Sequence, residues 1–540
     1  MTKKTTLLLT IIVTALTFLS CDAILTVLDF TESQITTRTV WGPNQEINLN
    51  STIYVKAELI IERCTEVVMS DNGYIYVQDG GSIKVNGTAD CPVKFTSSKF
   101  SPSKGDWRYI SIDETASSGN VFNHVVFEYG GNTGYGALII EKGPSVSITN
   151  AKFSNIEGLG LNIKSGANIT DFTGNSFKNI EEELIKVKAD AVPVLGPITS
   201  TDNDNNYVLV DGGNTEDDGT WKNLGVPYKT ETFYINSAIT IEKGTTVMLD
   251  DNGYIYVEDD GSIITEGTAD EPVVFTSYKS APSNGDWRYI SIDDSASAGN
   301  EFNYTHFEYG GDTGYGMVIV ENGASVKFMN CSFAHSDIYG VNFKDGARIE
   351  GFSGNSFDDI GEGLVKIYAN GVASLDPVTS TVEKDNFILV DGGEVTDEGT
   401  WKNLSVPLKI ETMYINAAVT VEAGSELLMS ENTYLYVDDE GSLILDGTSD
   451  SHVIVSSPKS NPSAGDWRYI SIEDSAAAGN RFSYTDISYG GDTGYGQLLV
   501  EAGAEITLEH VTFSDGDTCD VNIKEGATVD DTDSTFDVCE

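Results

Sequence analysis

The sequence is poor in positive charge. Lys and Arg number 32 against 83 Asp and Glu, a formal charge of −51. Nucleic acid binding needs a basic face to meet phosphate, and none is present, so no nucleic-acid partner is expected. The same deficit opposes adsorption to anionic lipid. Histidine is scarce, with five residues, and no His/Cys cluster has zinc-ligand spacing. There is no Gly-Xaa-Ser-Xaa-Gly elbow and no phosphate loop. Helical periodicity is almost absent. No Pro/Ser-rich linker divides the chain, and no apolar run is long enough to span ~30 Å of hydrocarbon as a helix. Disorder is also excluded: apolar residues make up 40%, enough for a sizeable core, so the acidity belongs to a folded surface.

What the sequence does contain is a 180-residue repeat. Trp107, Trp287 and Trp467 lie 180 apart, as do Trp41, Trp221 and Trp401. The string GDWRYISI recurs at 105–112, 285–292 and 465–472. GNTGYG at 131–136 becomes GDTGYG at 311–316 and 491–496. DNGYIYV at 71–77 recurs at 251–257, and TYLYV fills that place at 433–437. The register never slips, which gives modules 41–220, 221–400 and a shorter 401–540.

Within a module runs a looser period. Phe307, Phe333 and Phe357 are spaced by 26 and 24 residues. Asn330-Cys331-Ser332-Phe333 is followed by Asn355-Ser356-Phe357, and Asn150-Ala151-Lys152-Phe153 by Asn175-Ser176-Phe177. Between them lie short alternating strands such as Tyr254-Ile255-Tyr256-Val257, bounded by Gly, Asp or Asn, which tolerate left-handed turns. Strands of four to six residues in coils of about 24 describe an all-β parallel solenoid. Such a rung cannot bury its apolar face alone. Stacking rungs at ~4.8 Å pairs each strand with those above and below, giving about 20 coils and a rod of about 100 Å.

The strings ITIEKGTTVML, GSIITEGTADEPVVFTS, GDWRYISI and FNYTHFEYGG resemble the right-handed parallel β-helix of the pectin-lyase-like superfamily. Similar strings occur in exported bacterial β-helix lipoproteins of unassigned role. The resemblance covers nearly all of 41–540 and implies a fold; it leaves the activity open, because lyases, hydrolases, adhesins and inert rods share that fold. If the chain were an enzyme, the resemblance would make it a polysaccharide lyase or a glycoside hydrolase. A hydrolase needs a carboxylate pair flanking the scissile bond. A lyase of this superfamily uses an Arg or Lys base beside Ca²⁺-binding carboxylates. Arg is confined to Arg38, Arg63, Arg108, Arg288, Arg348, Arg468 and Arg481. Three of these belong to the repeated Asp-Trp-Arg, and no His is triplicated. A catalytic constellation is seldom triplicated along one rod, whereas architectural parts and multivalent surfaces are. No catalytic residue is assigned and no cofactor is required.

The triplicated aromatics are the candidate ligand site. Alternation in Trp-Arg-Tyr-Ile-Ser-Ile puts Ile110 and Ile112 on one face and Trp107, Tyr109 and Ser111 on the other. With the isoleucines inward, Trp107 and Tyr109 face out, as do Trp287 with Tyr289 and Trp467 with Tyr469. Tyr135, Tyr315 and Tyr495 lie in the Gly-rich turns nearby, and Asp113, Asp293 and Glu473 are neighbouring carboxylates. Sugar C–H groups rest on aromatic faces while acidic oxygens accept hydroxyl protons. Three copies would give avidity for a repeating polysaccharide. The competing reading folds GDTGYG over the Trp as a packed corner, with Asp286–Arg288 a local ion pair. Calcium is a second candidate ligand: Asp250, Asp251, Asp259, Asp260, Asp438 and Asp439 form oxygen-rich turns, although Asp fills turns for backbone reasons too.

At the amino terminus, Lys3 and Lys4 precede an apolar run from Leu7 to Leu19, followed by Ser20 and Cys21. This pattern resembles a bacterial lipoprotein signal. It implies a signal peptide over 1–20, lipid on Cys21 and a tether with an N-terminal cap over 21–40. The expected location is extracytoplasmic, at the outer membrane or cell surface, with the membrane as a partner through that lipid. Cys64 and Cys91 lie 27 apart, and Cys519 and Cys539 lie 20 apart, about one coil in each case. Disulfides between neighbouring rungs and scattered free thiols both remain open, the one-coil spacing favouring bridges. The leading expectation is a tethered, non-enzymatic scaffold or adhesin that holds glycan through the Trp/Tyr sites. A polysaccharide lyase or hydrolase and a purely structural envelope rod are the alternatives.

Overall fold

A computed structural model describes residues 26–132, 134–312, 314–492 and 494–539. Cys21 and the apolar run before it lie outside these residues. Apart from two short 3₁₀ turns, at Ala189–Val194 and Ala369–Ser374, the described secondary structure is β. None of it is a helix long and apolar enough to cross a membrane.

The chain winds as a parallel β-solenoid of about 21 turns, close to the 20 expected. A regular turn carries three strands, one per face. In the first module one turn holds Glu66–Met69 on face I, Ile75–Val77 on face II and Ser82–Asn86 on face III. The next turn repeats them as Val93–Ser97, Ile110–Ile112 and Asn120–Asn123. All the strand pairs are parallel, as in Ile75↔Ile110 and Val85↔Phe122. Each strand thus takes its ladder hydrogen bonds from the rungs on either side, which is why the period must hold for the fold to close.

Alternation supplies the core. Ile75, Val77, Ile110 and Ile112 point inward with no exposure. On face I the inward position becomes an aromatic column: Phe95, Phe127, Phe153 and Phe177 stack with centroids 5.5, 4.8 and 4.8 Å apart. Phe275, Phe307, Phe333 and Phe357 repeat it at 5.5, 4.9 and 5.1 Å. The Asn that precedes these rungs closes a corner. Asn355 Oδ1 accepts the Cys331 N–H at 3.0 Å and its Nδ2 donates to the Phe328 carbonyl at 3.2 Å, satisfying a fully buried amide. Asn150, Asn330 and His510 hold one corner in the left-handed region, with φ of 54°, 56° and 55°. Cys331 is a free thiol, buried in this layer, and burial pushes it up to about 12.

The modules are continuous but not superposed by simple translation. The face II column of the first module runs through Glu183–Val187 and Asn205–Val210 into Tyr228–Ile235 and then to Val273–Ser277. Val273–Ser277 is the 180-residue equivalent of Val93–Ser97, a face I strand. Face II of one module therefore becomes face I of the next. The same shift recurs at Gly363–Ile367, Ile388–Val390 and Leu408–Ile410. Each 180-residue module makes seven turns plus one face, and successive modules are turned by about a third of a revolution. The 3₁₀ turns sit at these junctions, Ala189–Val194 packing against both Asn168–Thr173 and Gly219–Trp221.

Both ends carry a disulfide, Cys64–Cys91 with Cα atoms 4.9 Å apart and Cys519–Cys539 at 5.2 Å. These distances match the spacing between rungs. The bridges staple neighbouring coils at the two termini of the rod.

Candidate functional site

The triplicated tryptophans do not face outward. Trp107, Trp287 and Trp467 have no exposure, which corrects the alternation argument for all three. In the first module the strand begins only at Ile110, so Trp107 lies in the preceding turn, where period-two alternation does not apply. The rings are buried corners. Trp107 Nε1 donates to the Glu128 carbonyl at 2.8 Å, Trp287 to Glu308 at 2.7 Å and Trp467 to Ser488 at 2.8 Å. The residue that opens each Gly-rich turn lies flat against the ring: a Cβ on Gly130, Gly310 or Gly490 would stand 2.5–2.6 Å from an indole carbon.

The aspartate before each Trp anchors the corner. Asp286 accepts from Lys279 Nζ at 2.7 Å, from Ser277 Oγ at 2.7 Å and from the Ser283 N–H at 3.1 Å. Asp106 and Asp466 have the same three partners in their own modules. The ion pair is therefore Asp286–Lys279, not Asp286–Arg288. Burial alone would raise these carboxyls; the Lys ammonium and the hydroxyl and amide donors outweigh it and hold all three below the usual carboxylate range. Arg108, Arg288 and Arg468 turn instead over tyrosine rings, at 6.0 Å from Tyr74, 5.9 Å from Tyr254 and 5.7 Å from Tyr434.

Those tyrosines belong to the surface feature that the fold assembles. Face II of each module carries five tyrosines: Tyr54, Tyr74, Tyr76, Tyr109 and Tyr135 in the first, with equivalents exactly one repeat on. In the second module Tyr254 stacks on Tyr289 at 5.8 Å, Tyr234 stacks on Tyr256 at 5.9 Å, and Tyr315 meets Tyr289 edge-on at 6.0 Å. The third module repeats this with Tyr434 on Tyr469, Tyr414 on Tyr436, and Tyr495 edge-on to Tyr469. Tyr109 and Tyr289 are half-buried and Tyr469 is buried. The outer rings Tyr135, Tyr315 and Tyr495 are 56%, 47% and 44% exposed. Lys344 lies 5.2 Å from the Tyr315 centroid and Lys524 lies 5.5 Å from that of Tyr495.

The phenols are linked. Tyr256 and Tyr289 share a hydroxyl hydrogen bond of 3.0 Å, Tyr436 and Tyr469 one of 2.9 Å, and Tyr76 donates to Asp113 at 2.8 Å. The bond to Tyr289 and then burial raise Tyr256; burial and then the Asp113 bond raise Tyr76. Tyr256 and Tyr76 therefore stay protonated. Beside them runs a column of charged groups, one per rung: Glu258, Asp293, Glu321 and Lys344, each following a paired inward residue. Burial raises the Glu321 carboxyl, with Lys344 opposing and Asp293 and Asp294 adding. Glu473 is raised in the same way by burial, against the Ser471 hydroxyl.

The acidic turns proposed for calcium have other partners. Asp250 pairs with Lys229 at 3.2 Å and accepts the Asp251 N–H at 2.9 Å, and Asp251 pairs with Lys279. Asp259 and Asp260 hold a left-handed turn, with φ of 49° and 65°. Asp438 accepts the Ser475 hydroxyl, and Asp439 has φ of 43°. Among the described residues no three His, Cys, Asp or Glu side chains converge as a metal site.

Sequence reasoning found Tyr109, Tyr135 and their equivalents but missed Tyr54, Tyr74 and Tyr76, whose 180-residue recurrence was the available signal. A cleft lies beside the outer tyrosine of the first module. Tyr135, Asn162, Lys164, Glu182, Glu183 and Lys186 line it. Partial burial and the neighbouring Glu183, Glu181 and Glu157 raise the Glu182 carboxyl.

A family model described as a pectate-lyase like beta helix domain matches residues 33–117 and 225–363. No curated protein matches the sequence. Together with the parallel coils, this makes the chain a right-handed parallel β-helix of the pectin-lyase-like kind.

Proposed function

We propose that the chain is a non-catalytic, extracytoplasmic rod, tethered through lipid on Cys21, that holds glycan on its tyrosine platforms. The observation that carries this reading is the contrast within one repeated motif. The tryptophans are sealed, while an outer tyrosine is kept 44–56% exposed in every copy. A purely structural aromatic would gain by burial. Each platform combines stacked ring faces for sugar C–H groups, phenol hydroxyls for hydrogen bonds and the carboxylates of the neighbouring column as acceptors. The first test is a glycan array on the exported chain, followed by titration of the hits against the Tyr135→Ala/Tyr315→Ala/Tyr495→Ala variant. Expected is at least tenfold weaker binding with the cooperative melt retained at a modestly lower temperature, since about half of each ring already faces solvent. An array without a hit overturns the reading. Tethering is tested separately: palmitate should label the wild type and not Cys21→Ser.

Polysaccharide cleavage is the second reading, and the Glu182 cleft favours it. A carboxyl whose pKa is raised by partial burial and by neighbouring acidic groups is the kind of group a general acid requires. Reducing-sugar release by the wild type, abolished in Glu182→Gln, would replace the first reading with this one.

A further inference from the structure

The repeat and the coil do not divide evenly, and this decides how three equivalent platforms can be used. Each platform stands on face II of its own module. Because face II of one module is face I of the next, the second platform stands over face III of the first module and the third over its face I. Seven turns at ~4.8 Å separate consecutive platforms by about 35 Å along the axis. The platforms therefore climb the rod as a spiral and look out in three directions. Multivalent gain requires that one ligand reach two sites at once. An extended, stiff glycan lying along a face meets one platform, and to meet a second it must bend round an edge of the rod. Avidity of the three copies for one repeating polysaccharide would require the polymer to wrap round the rod.

The surface also limits what can approach. Lys344 and Lys524 lie beside outer rings, but carboxylates outnumber them along the column and the whole chain carries a formal charge of −51, so a polyanionic glycan is repelled overall. We infer that each platform holds a separate chain of neutral, extended polysaccharide, so that one rod cross-links three strands instead of gripping one. This rests on the glycan-holding reading above and adds ligand charge, stoichiometry and consequence to it.

The experiment uses the whole exported chain. Calorimetry is run with β-1,4-linked hexasaccharides of glucose, xylose and mannose, and with oligogalacturonate. The soluble polymers hydroxyethylcellulose, arabinoxylan and glucomannan follow in light scattering. Expected is binding of a neutral hexasaccharide at three equivalent sites per chain, with none of oligogalacturonate. The matching polymer should bind with the affinity of the hexasaccharide and form scattering networks. Tyr135→Ala/Tyr315→Ala should leave one site of unchanged affinity and abolish the scattering. A polymer bound about hundredfold more tightly than its hexasaccharide, one per rod and without scattering, would overturn the cross-linker and leave glycan holding intact. Preference for oligogalacturonate would overturn the neutral-ligand claim. Binding of no hexasaccharide and no polymer would overturn both readings.

Discussion

Asp106, Asp286 and Asp466 sit nearly buried in a chain that already carries 83 acidic residues. Each survives as an anion because a Lys, a Ser hydroxyl and a backbone N–H converge on it. Their pKa values lie below the unfolded value of ~3.9, so the stability they contribute is present above that pH and lost as pH falls through the folded value. Glu321 and Glu473 are raised, so their contribution has the opposite sign. Mild acidification protonates them first in the native state and stabilises it. The melting temperature should therefore climb from pH 7 to about 5 and drop steeply below about 4. In Asp106→Asn/Asp286→Asn/Asp466→Asn the low-pH drop should flatten, while each substitution costs about 1–3 kcal/mol near neutrality. A drop of unchanged steepness in that variant would remove these carboxylates from the account. The anchor was legible in principle: Lys99, Lys279 and Lys459 recur with the Trp at 180 residues, in a chain with few cations. Adjacency favoured Arg288 as the partner, but the intervening turn brings Lys279 back to the carboxylate and sends the guanidinium over Tyr254.

At the scale of the element, a Gly-rich turn seals each Trp corner, and the backbone lies against the indole. Gly310 is close enough that an added Cβ would be 2.5 Å from Trp287 Cζ2. Gly310→Ala should therefore overpack the corner, cost about 1–3 kcal/mol and shift Trp emission to the red as the turn lifts. Emission and stability equal to wild type would mean that the turn is not packed on the ring. The same element explains why the candidate site was half legible. Period-two alternation is sound inside a strand, and it placed Tyr289 on the outer side correctly. Carried back into the turn it put Trp287 outside, where the chain direction has already changed. Phe307, Phe333 and Phe357 were legible, because their spacing of 26 and 24 residues is the length of a coil and each lies within a strand, whereas Phe275 stands 32 residues before Phe307, across a longer loop, and escaped the period.

At the scale of the molecule, strands, coils and the terminal bridges could be read from periodicity, whereas the rotation between modules could not. The 180-residue repeat does not state how many coils it contains, and a third of a turn is only eight residues in a coil of about 24. The strand pairing across Asn205–Val210 reveals it. A solenoid of this kind has nearly one-dimensional energetics, since each coil contacts only its neighbours. A staple at one end should then protect that end and little else. The Cys64–Cys91 and Cys519–Cys539 loops span 27 and 20 residues, for which chain entropy predicts about 3 kcal/mol each. Under reduction, amide exchange should accelerate across the coils that hold 64–91 and 519–539. The coils from Ala238–Ile241 to Gly363–Ile367 should exchange as before. If the central coils accelerate equally, the rod unfolds as one cooperative unit and coils do more than hold their neighbours. The cross-linking geometry would then depend on both staples, because losing either end would collapse all three platforms together.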